Sequence, residues 1–87
     1  MQGECFICGK QRFLEEHHIF GASNRKKSTQ YGLTVQLCVE CHRAGRSAAH
    51  LNSDTMLYLH RYGQEKWQAE QGKTAEDFIR EFGKNYL

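Results

Sequence analysis

The chain has 87 residues, of which 39% are hydrophobic and 25% are charged, and its net charge is +2. This composition argues against an intrinsically disordered chain, and the length fits one small domain. No stretch approaches the roughly 20 apolar residues of a membrane span, so we expect no membrane association. A hydrophobic core of this size is marginal, which favours a metal, disulfides or a partner subunit as a further source of stability.

Four cysteines occur as two Cys-x-x-Cys pairs, Cys5 with Cys8 and Cys38 with Cys41. The two-residue gap lets both sulfurs of a pair reach one ion, and zinc favours four tetrahedral sulfur or nitrogen ligands. Because no apolar leader precedes the first pair, we expect a cytoplasmic protein, where disulfides are disfavoured. The pairs therefore predict a closed, structural zinc site. Iron at the same thiolates, redox-active pairs and free thiols are the alternatives.

Residues 1–50 are predicted to form the zinc-bound part of a small α+β fold. Gly9 follows the first pair, and it permits the positive φ that a tight turn around a metal requires. Residues 12–20 predict a strand that carries His17 and His18. The polar stretch 21–32 is bounded by glycines and predicts a loop, and the alternating residues 33–37 predict a second strand. His42 follows the second cysteine pair and is expected to begin or lie within a helix.

Residues 51–87 are predicted to form a helical extension that packs on residues 1–50, so that 1–87 make a single domain. Asn52 or Ser53 can cap a helix that runs to about Gln71 and ends at Gly72. A capping box with Asp in place of Glu, 74–77, begins a final amphipathic helix. The apolar residues assigned to this last helix are Phe78, Ile79, Phe82 and Tyr86.

Residues 1–50 also hold four of the five histidines and carry seven Lys or Arg against four Asp or Glu. A basic face beside a metal site suits a polyanion such as nucleic acid, because cation–phosphate contacts dominate that affinity. The run at 25–27 could equally be an ordinary solvated loop. The candidate nucleic-acid-binding residues are Arg25, Lys26, Lys27, Arg43 and Arg46.

The order of these motifs resembles the HNH endonuclease family, also called the ββα-metal fold. The resemblance covers residues 5–42 and is strongest to small phage or prophage nucleases. It implies a ββα-metal core, DNA as the partner, and the cytoplasm of a bacterial or phage-infected cell as the location. The residues that carry it are Cys5-x-x-Cys8, Leu14-Glu15-Glu16-His17-His18-Ile19, residues 33–37, and Cys38-x-x-Cys41-His42.

The resemblance implies roles for the histidines in phosphodiester hydrolysis. His17 and His42 would bind a divalent cation such as Mg²⁺, Mn²⁺, Ni²⁺ or Zn²⁺, and His18 would be the general base. A neutral imidazole is suited to take a proton from water near neutral pH. His50 is a possible supporting residue, although its spacing has no clear counterpart in the family.

One position departs from the family pattern. The family asparagine at the start of the second strand is replaced by Leu33, and Asn24 in the predicted loop is a candidate substitute. This departure motivates a second hypothesis, a non-catalytic zinc-binding module that binds nucleic acid or a phage or host protein. In that case the histidines would be ordinary structural residues. The helical extension could serve a homodimer interface under either hypothesis.

Overall fold

The computed structural model describes all 87 residues and has a small α+β fold, as the sequence predicts. Three strands form one antiparallel sheet in the order β1-β2-β3. A 3₁₀ turn, Ala22–Asn24, precedes α1, and a π-helical segment, Glu40–Ala44, follows β3. The other elements are β1 (Gln2–Glu4), β2 (Gln11–His18), α1 (Arg25–Gln30), β3 (Thr34–Cys38), α2 (Ser53–Gln71) and α3 (Ala75–Phe82). No helix combines the length and the apolar character needed to cross a membrane.

The pairing of β2 with β3 sets the direction of the two adjacent histidines. His17 lies opposite Val35, and directly opposed residues share a face of the sheet. Both side chains are buried, whereas His18 is only partly buried and points to the other face. Residues 19 and 20, which the sequence assigned to the strand, instead continue as a buried segment after its end.

The predicted loop over 21–32 is wrong, because most of it is helical. Ser28 in α1 is fully buried. Its hydroxyl donates to the carbonyl of Phe20 at 2.7 Å and accepts from the backbone N–H of the same residue at 2.9 Å. Lys27 forms an ion pair of 3.4 Å with Glu81. These contacts with residues outside α1 fix the position of this six-residue helix, which has no apolar face of its own.

The predicted boundaries of α2 and the start of α3 are confirmed. The side-chain oxygen of Asn52 accepts from two backbone N–H groups of the first turn of α2, both at 3.0 Å. Gly72 ends α2 with a φ of 62°, a left-handed conformation that costs glycine little. Thr74 and Asp77 form the capping box of α3. The prediction for the apolar face was partly wrong, because Ile79 is 40% exposed and α3 ends before residue 86.

One hydrophobic core joins residues from both halves of the chain. The ring of Phe20 lies 5.4 Å from that of Phe78 and 4.9 Å from that of Phe82, measured between centroids. Gly63 lets α2 approach the same segment closely, because a Cβ at that position would lie 2.7 Å from a methyl carbon of Ile19. The segment after β2 is therefore fixed by both C-terminal helices, and so is the position of the histidines before it.

Candidate functional site

The four cysteines converge from two parts of the chain. Cys5 and Cys8 lie in the turn after β1, and Cys38 and Cys41 lie at the end of β3 and in the π-helical segment. Their sulfur atoms all lie within 4.8 Å of one another, and none forms a disulfide. Tetrahedral sulfur ligands about 2.3 Å from zinc are about 3.8 Å apart. The Sγ atoms of Cys8 and Cys38 are 3.8 Å apart, so the group could hold a structural zinc ion.

The pKa values of these thiols also fit a cation site. Burial raises the pKa of the Cys5 thiol, but hydrogen bonds from the backbone N–H groups of Cys38, Cys8 and Ile7 outweigh burial and lower the pKa to about 6. Burial and the neighbouring sulfurs raise the pKa of Cys41 instead. A thiolate is thus favoured at one position and opposed at another, as expected when several thiols crowd together. A divalent cation among the sulfurs relieves that repulsion.

A second group of possible metal ligands consists of His17, His42 and His50, whose donor nitrogens also lie within 4.8 Å of one another. The Nε2 atoms of His42 and His50 are 3.0 Å apart. Two ligand atoms about 2.1 Å from one ion are about 3.0 Å apart in octahedral and about 3.4 Å apart in tetrahedral coordination. The structure therefore brings together the two histidines that the resemblance named as ligands and also His50.

Glu15 determines which nitrogen of His42 is available to a metal. The Nδ1 atom of His42 donates to a carboxylate oxygen of Glu15 at 2.9 Å. Arg43 donates to both oxygens of the same carboxylate, each at 2.9 Å. Hydrogen bonds from Arg43 and then from His42 lower the pKa of Glu15 to about 2, so the acceptor is ionised. With its proton on Nδ1, a neutral His42 presents the lone pair of Nε2, as metal-binding histidines commonly do.

His17 is the most enclosed of the three histidines. Its side chain is 3% exposed, and its Nε2 atom is buried without a hydrogen-bond partner. Burial, with repulsion from His42 and His50, lowers the pKa of His17 to about 4, so the ring is neutral at neutral pH. A neutral imidazole with an unpartnered buried nitrogen beside two others is the donor set that a divalent cation would satisfy.

His18 stands outside this group but lines the same cleft. The cleft has a volume of about 400 Å³, and Arg25 lines it from α1. The Nε2 atom of His18 lies 3.1 Å from the hydroxyl of Thr29, which also belongs to α1. The histidines lining the cleft are His17, His18, His42 and His50.

The remaining predicted site residues lie in different environments. The side-chain nitrogen of Asn24 donates to the carbonyl of Phe82 at 2.9 Å, and Asn24 does not line the cleft. Lys27 is held by Glu81 in α3, and Arg43 is held by Glu15. Lys26 and Arg46 are exposed. Of the five basic candidates, Arg25 alone borders the histidines without an ion pair.

Sequence reasoning missed two contacts in this region. Glu15 lies two residues before His17, so strand alternation places both on one face and could have indicated the contact of Glu15 with His42. Thr29 lies in the stretch that the sequence predicts to be a loop, and nothing in the sequence indicates its contact with His18.

In comparisons with known proteins, no family model, curated protein or solved structure matches this chain. The resemblance to HNH endonucleases therefore rests on the motifs of the sequence alone.

Proposed function

We propose that the protein is a metal-dependent endonuclease of HNH type that hydrolyses phosphodiester bonds in DNA. The observation that carries this proposal is the convergence of three histidine nitrogens within 4.8 Å in the cleft that also contains His18 and Arg25. The four cysteines alone would be enough to bind one structural metal ion. The histidines form a separate group with a different donor type.

The two groups would have different roles. The cysteines form a closed set of four ligands, which is typical of structural zinc. His17, His42 and His50 supply three ligands and leave coordination positions free for water and substrate, which is typical of a catalytic metal. Mg²⁺, Mn²⁺, Ni²⁺ or Zn²⁺ bound there would neutralise charge on the scissile phosphate and on the departing 3′ oxygen.

The side chains around the cleft would perform the remaining steps. His18 takes a proton from the attacking water, the water oxygen bonds to phosphorus, and the bond to the 3′ oxygen breaks. Solvent water then protonates that oxygen, leaving 5′-phosphate and 3′-hydroxyl ends. Arg25 contacts a phosphate oxygen, since its guanidinium is free of carboxylates, and so orients the scissile group.

The test is plasmid nicking by the full chain, reconstituted with zinc and then given Mg²⁺, Mn²⁺ or Ni²⁺. His18→Gln removes the base but keeps a polar side chain of similar length, and we expect a loss of about 10²-fold or more in nicking rate. His60→Gln changes the one histidine outside the cleft and is the matched control. Nicking by His18→Gln at the wild-type rate would refute the assignment of the base.

A non-catalytic zinc module is the second candidate, and the environment of Leu33 favours it. That residue occupies the position of the family asparagine, is fully buried, and has no polar group to support the base. Elemental analysis and calorimetry separate the two candidates. One zinc per chain and no measurable binding of a second divalent cation would support the module. Loss of that second binding in His50→Ala would support the nuclease.

A further inference from the structure

The first half of α2 has exposed apolar side chains on the side away from the core. Tyr58 is 58% exposed, and Leu57 beside it is also exposed. Leu51, just before the helix, is 66% exposed. The exposed ring of Phe6 lies 4.7 Å, between centroids, from that of Tyr62, one helical turn after Tyr58. Exposed apolar side chains gathered in one region are typical of a surface that contacts another protein.

Two charges without partners flank the apolar pair. Asp54 and Arg61 are exposed, and neither forms an ion pair within the chain. Arg61 donates through Nε to the carbonyl of Tyr86 at 3.0 Å, which fixes the guanidinium at the surface and leaves its terminal nitrogens for another acceptor. Spacings of three and four residues place Asp54, Leu57, Tyr58 and Arg61 on one side of the helix, here called the exposed α2 face.

The order of these four residues makes the exposed α2 face complementary to a second copy of itself. In a dimer whose twofold axis passes between Leu57 and Tyr58, the two α2 helices are antiparallel. Asp54 of each copy then lies opposite Arg61 of the other, and Leu57 lies opposite Tyr58. Parallel helices would instead bring Asp54 against Asp54 and Arg61 against Arg61, which charge repulsion opposes. Packed helices lie 8–10 Å apart, a distance that aspartate and arginine side chains can span together.

The same residues argue against DNA as the occupant of this face. Asp54 and Glu65 are both exposed on it, against the single basic residue Arg61. Phosphate groups would therefore meet more negative than positive charge, whereas DNA affinity depends on cation–phosphate contacts. Leu57 and Tyr58 at the centre require an apolar surface to cover them, and an identical face supplies one.

We propose that the protein forms a twofold-symmetric homodimer through the exposed α2 face, with two Asp54–Arg61 ion pairs around a centre of Leu57 and Tyr58. One helix per copy makes a small interface, so we expect a dissociation constant of roughly 1 to 100 µM. The inference does not depend on the proposed function. If that function holds, the dimer carries two histidine clefts in one particle.

The test is sedimentation velocity of the full, zinc-loaded chain over concentrations of about 1 to 500 µM, which bracket the expected constant. Low ionic strength, about 50 mM, limits the screening of the ion pairs. Asp54→Arg and Arg61→Asp each place like charges opposite each other twice in the dimer. Glu76→Arg is the matched control, because Glu76 is exposed, lacks an ion pair and is the second residue of α3, as Asp54 is of α2.

We expect the wild type and Glu76→Arg to dimerise equally, and each of the other two variants to dimerise at least about tenfold more weakly. An equimolar mixture of Asp54→Arg and Arg61→Asp should recover the wild-type affinity, because both contacts in the mixed dimer then join opposite charges. Recovery on mixing requires the antiparallel pairing and cannot come from a general effect on folding.

A wild type that stays monomeric at the highest concentration would overturn the proposal, and so would variants that dimerise as the wild type does or a mixture without recovery. Circular dichroism establishes that each variant is folded. If a charge variant does not fold, Tyr58→Asp replaces it, since this exposed position tolerates a polar side chain. That substitution places carboxylates at the centre of the interface, and undiminished dimerisation in Tyr58→Asp would equally overturn the proposal.

Discussion

The zinc ion that we propose for the four cysteines should be required for the whole fold, so its removal should unfold the chain. Zinc contributes about 10 to 16 kcal/mol to the folding of small zinc domains, measured as apparent binding free energy near neutral pH. A chain of 87 residues has a total stability of about 4 to 13 kcal/mol. The free energy of zinc binding is therefore comparable to, or larger than, the total stability of the chain. Cys5 and Cys38 are each 1% exposed and belong to the same core as Trp67, so the α-helical half should lose its packing together with the sheet.

The assay is titration of the protein with a strong zinc chelator, followed by far-ultraviolet circular dichroism and Trp67 fluorescence. We expect both signals to change together and to return when zinc is added. His42→Ala and His50→Ala should respond as the wild type does, because they leave the cysteine group intact. An unchanged Trp67 signal after zinc is lost, with the metal measured by elemental analysis, would show that the two halves are not coupled and would refute the reasoning.

Three further substitutions test contacts around the site and the core. Glu15→Gln should weaken cation binding at the histidines about 10- to 100-fold by calorimetry, because it replaces the carboxylate that orients His42. Gln64→Leu should lower the free energy of unfolding by about 1 to 2 kcal/mol in urea, because it removes the 2.7 Å acceptor of the partly buried N–H of Tyr86. Gly63→Val should cost about 1 to 3 kcal/mol in the same assay, since its Cβ would overlap buried side chains after β2.

Each substitution has a matched control on the same element. Glu16→Gln changes a carboxylate that lines the cleft without contacting a proposed ligand, and its cation affinity should equal that of the wild type. Gln71→Leu and Ala69→Val alter exposed positions of α2 and should change stability by no more than about 0.5 to 1 kcal/mol. Equal effects of Gly63→Val and Ala69→Val would contradict the close approach of α2 to the segment after β2.

The features that the sequence predicted correctly depend on short-range chemistry. A Cys-x-x-Cys spacing brings two sulfurs together whatever the rest of the fold does. The caps at Asn52 and Thr74 likewise act within three residues of their own helix. Their local nature explains why the ends of α2 and the start of α3 could be placed without a structure.

The features that it missed depend on residues distant in the chain. Helix α1 has no apolar face and only six residues, and its buried Ser28 and its ion pair with Glu81 become apparent only once the C-terminal helices are in place. The proximity of His50 to His17 and His42 depends on the path after the π-helical segment, where the N–H of His50 donates to the carbonyl of His42 at 3.2 Å. No periodic pattern in the sequence predicts that His50 lies beside His17 and His42.

The turn that carries the first cysteine pair also protects an edge of the sheet. The backbone N–H of Phe6 donates to the carbonyl of Gln36 in β3 at 2.9 Å, and β3 has only one neighbouring strand. An edge strand with unpaired backbone groups can recruit other chains into an extended sheet. Loss of zinc would release this turn and expose the sequence Thr-Val-Gln-Leu-Cys of β3. Self-association through that strand is therefore expected when the metal-free chain is concentrated, whereas the dilute chain should refold when zinc is returned.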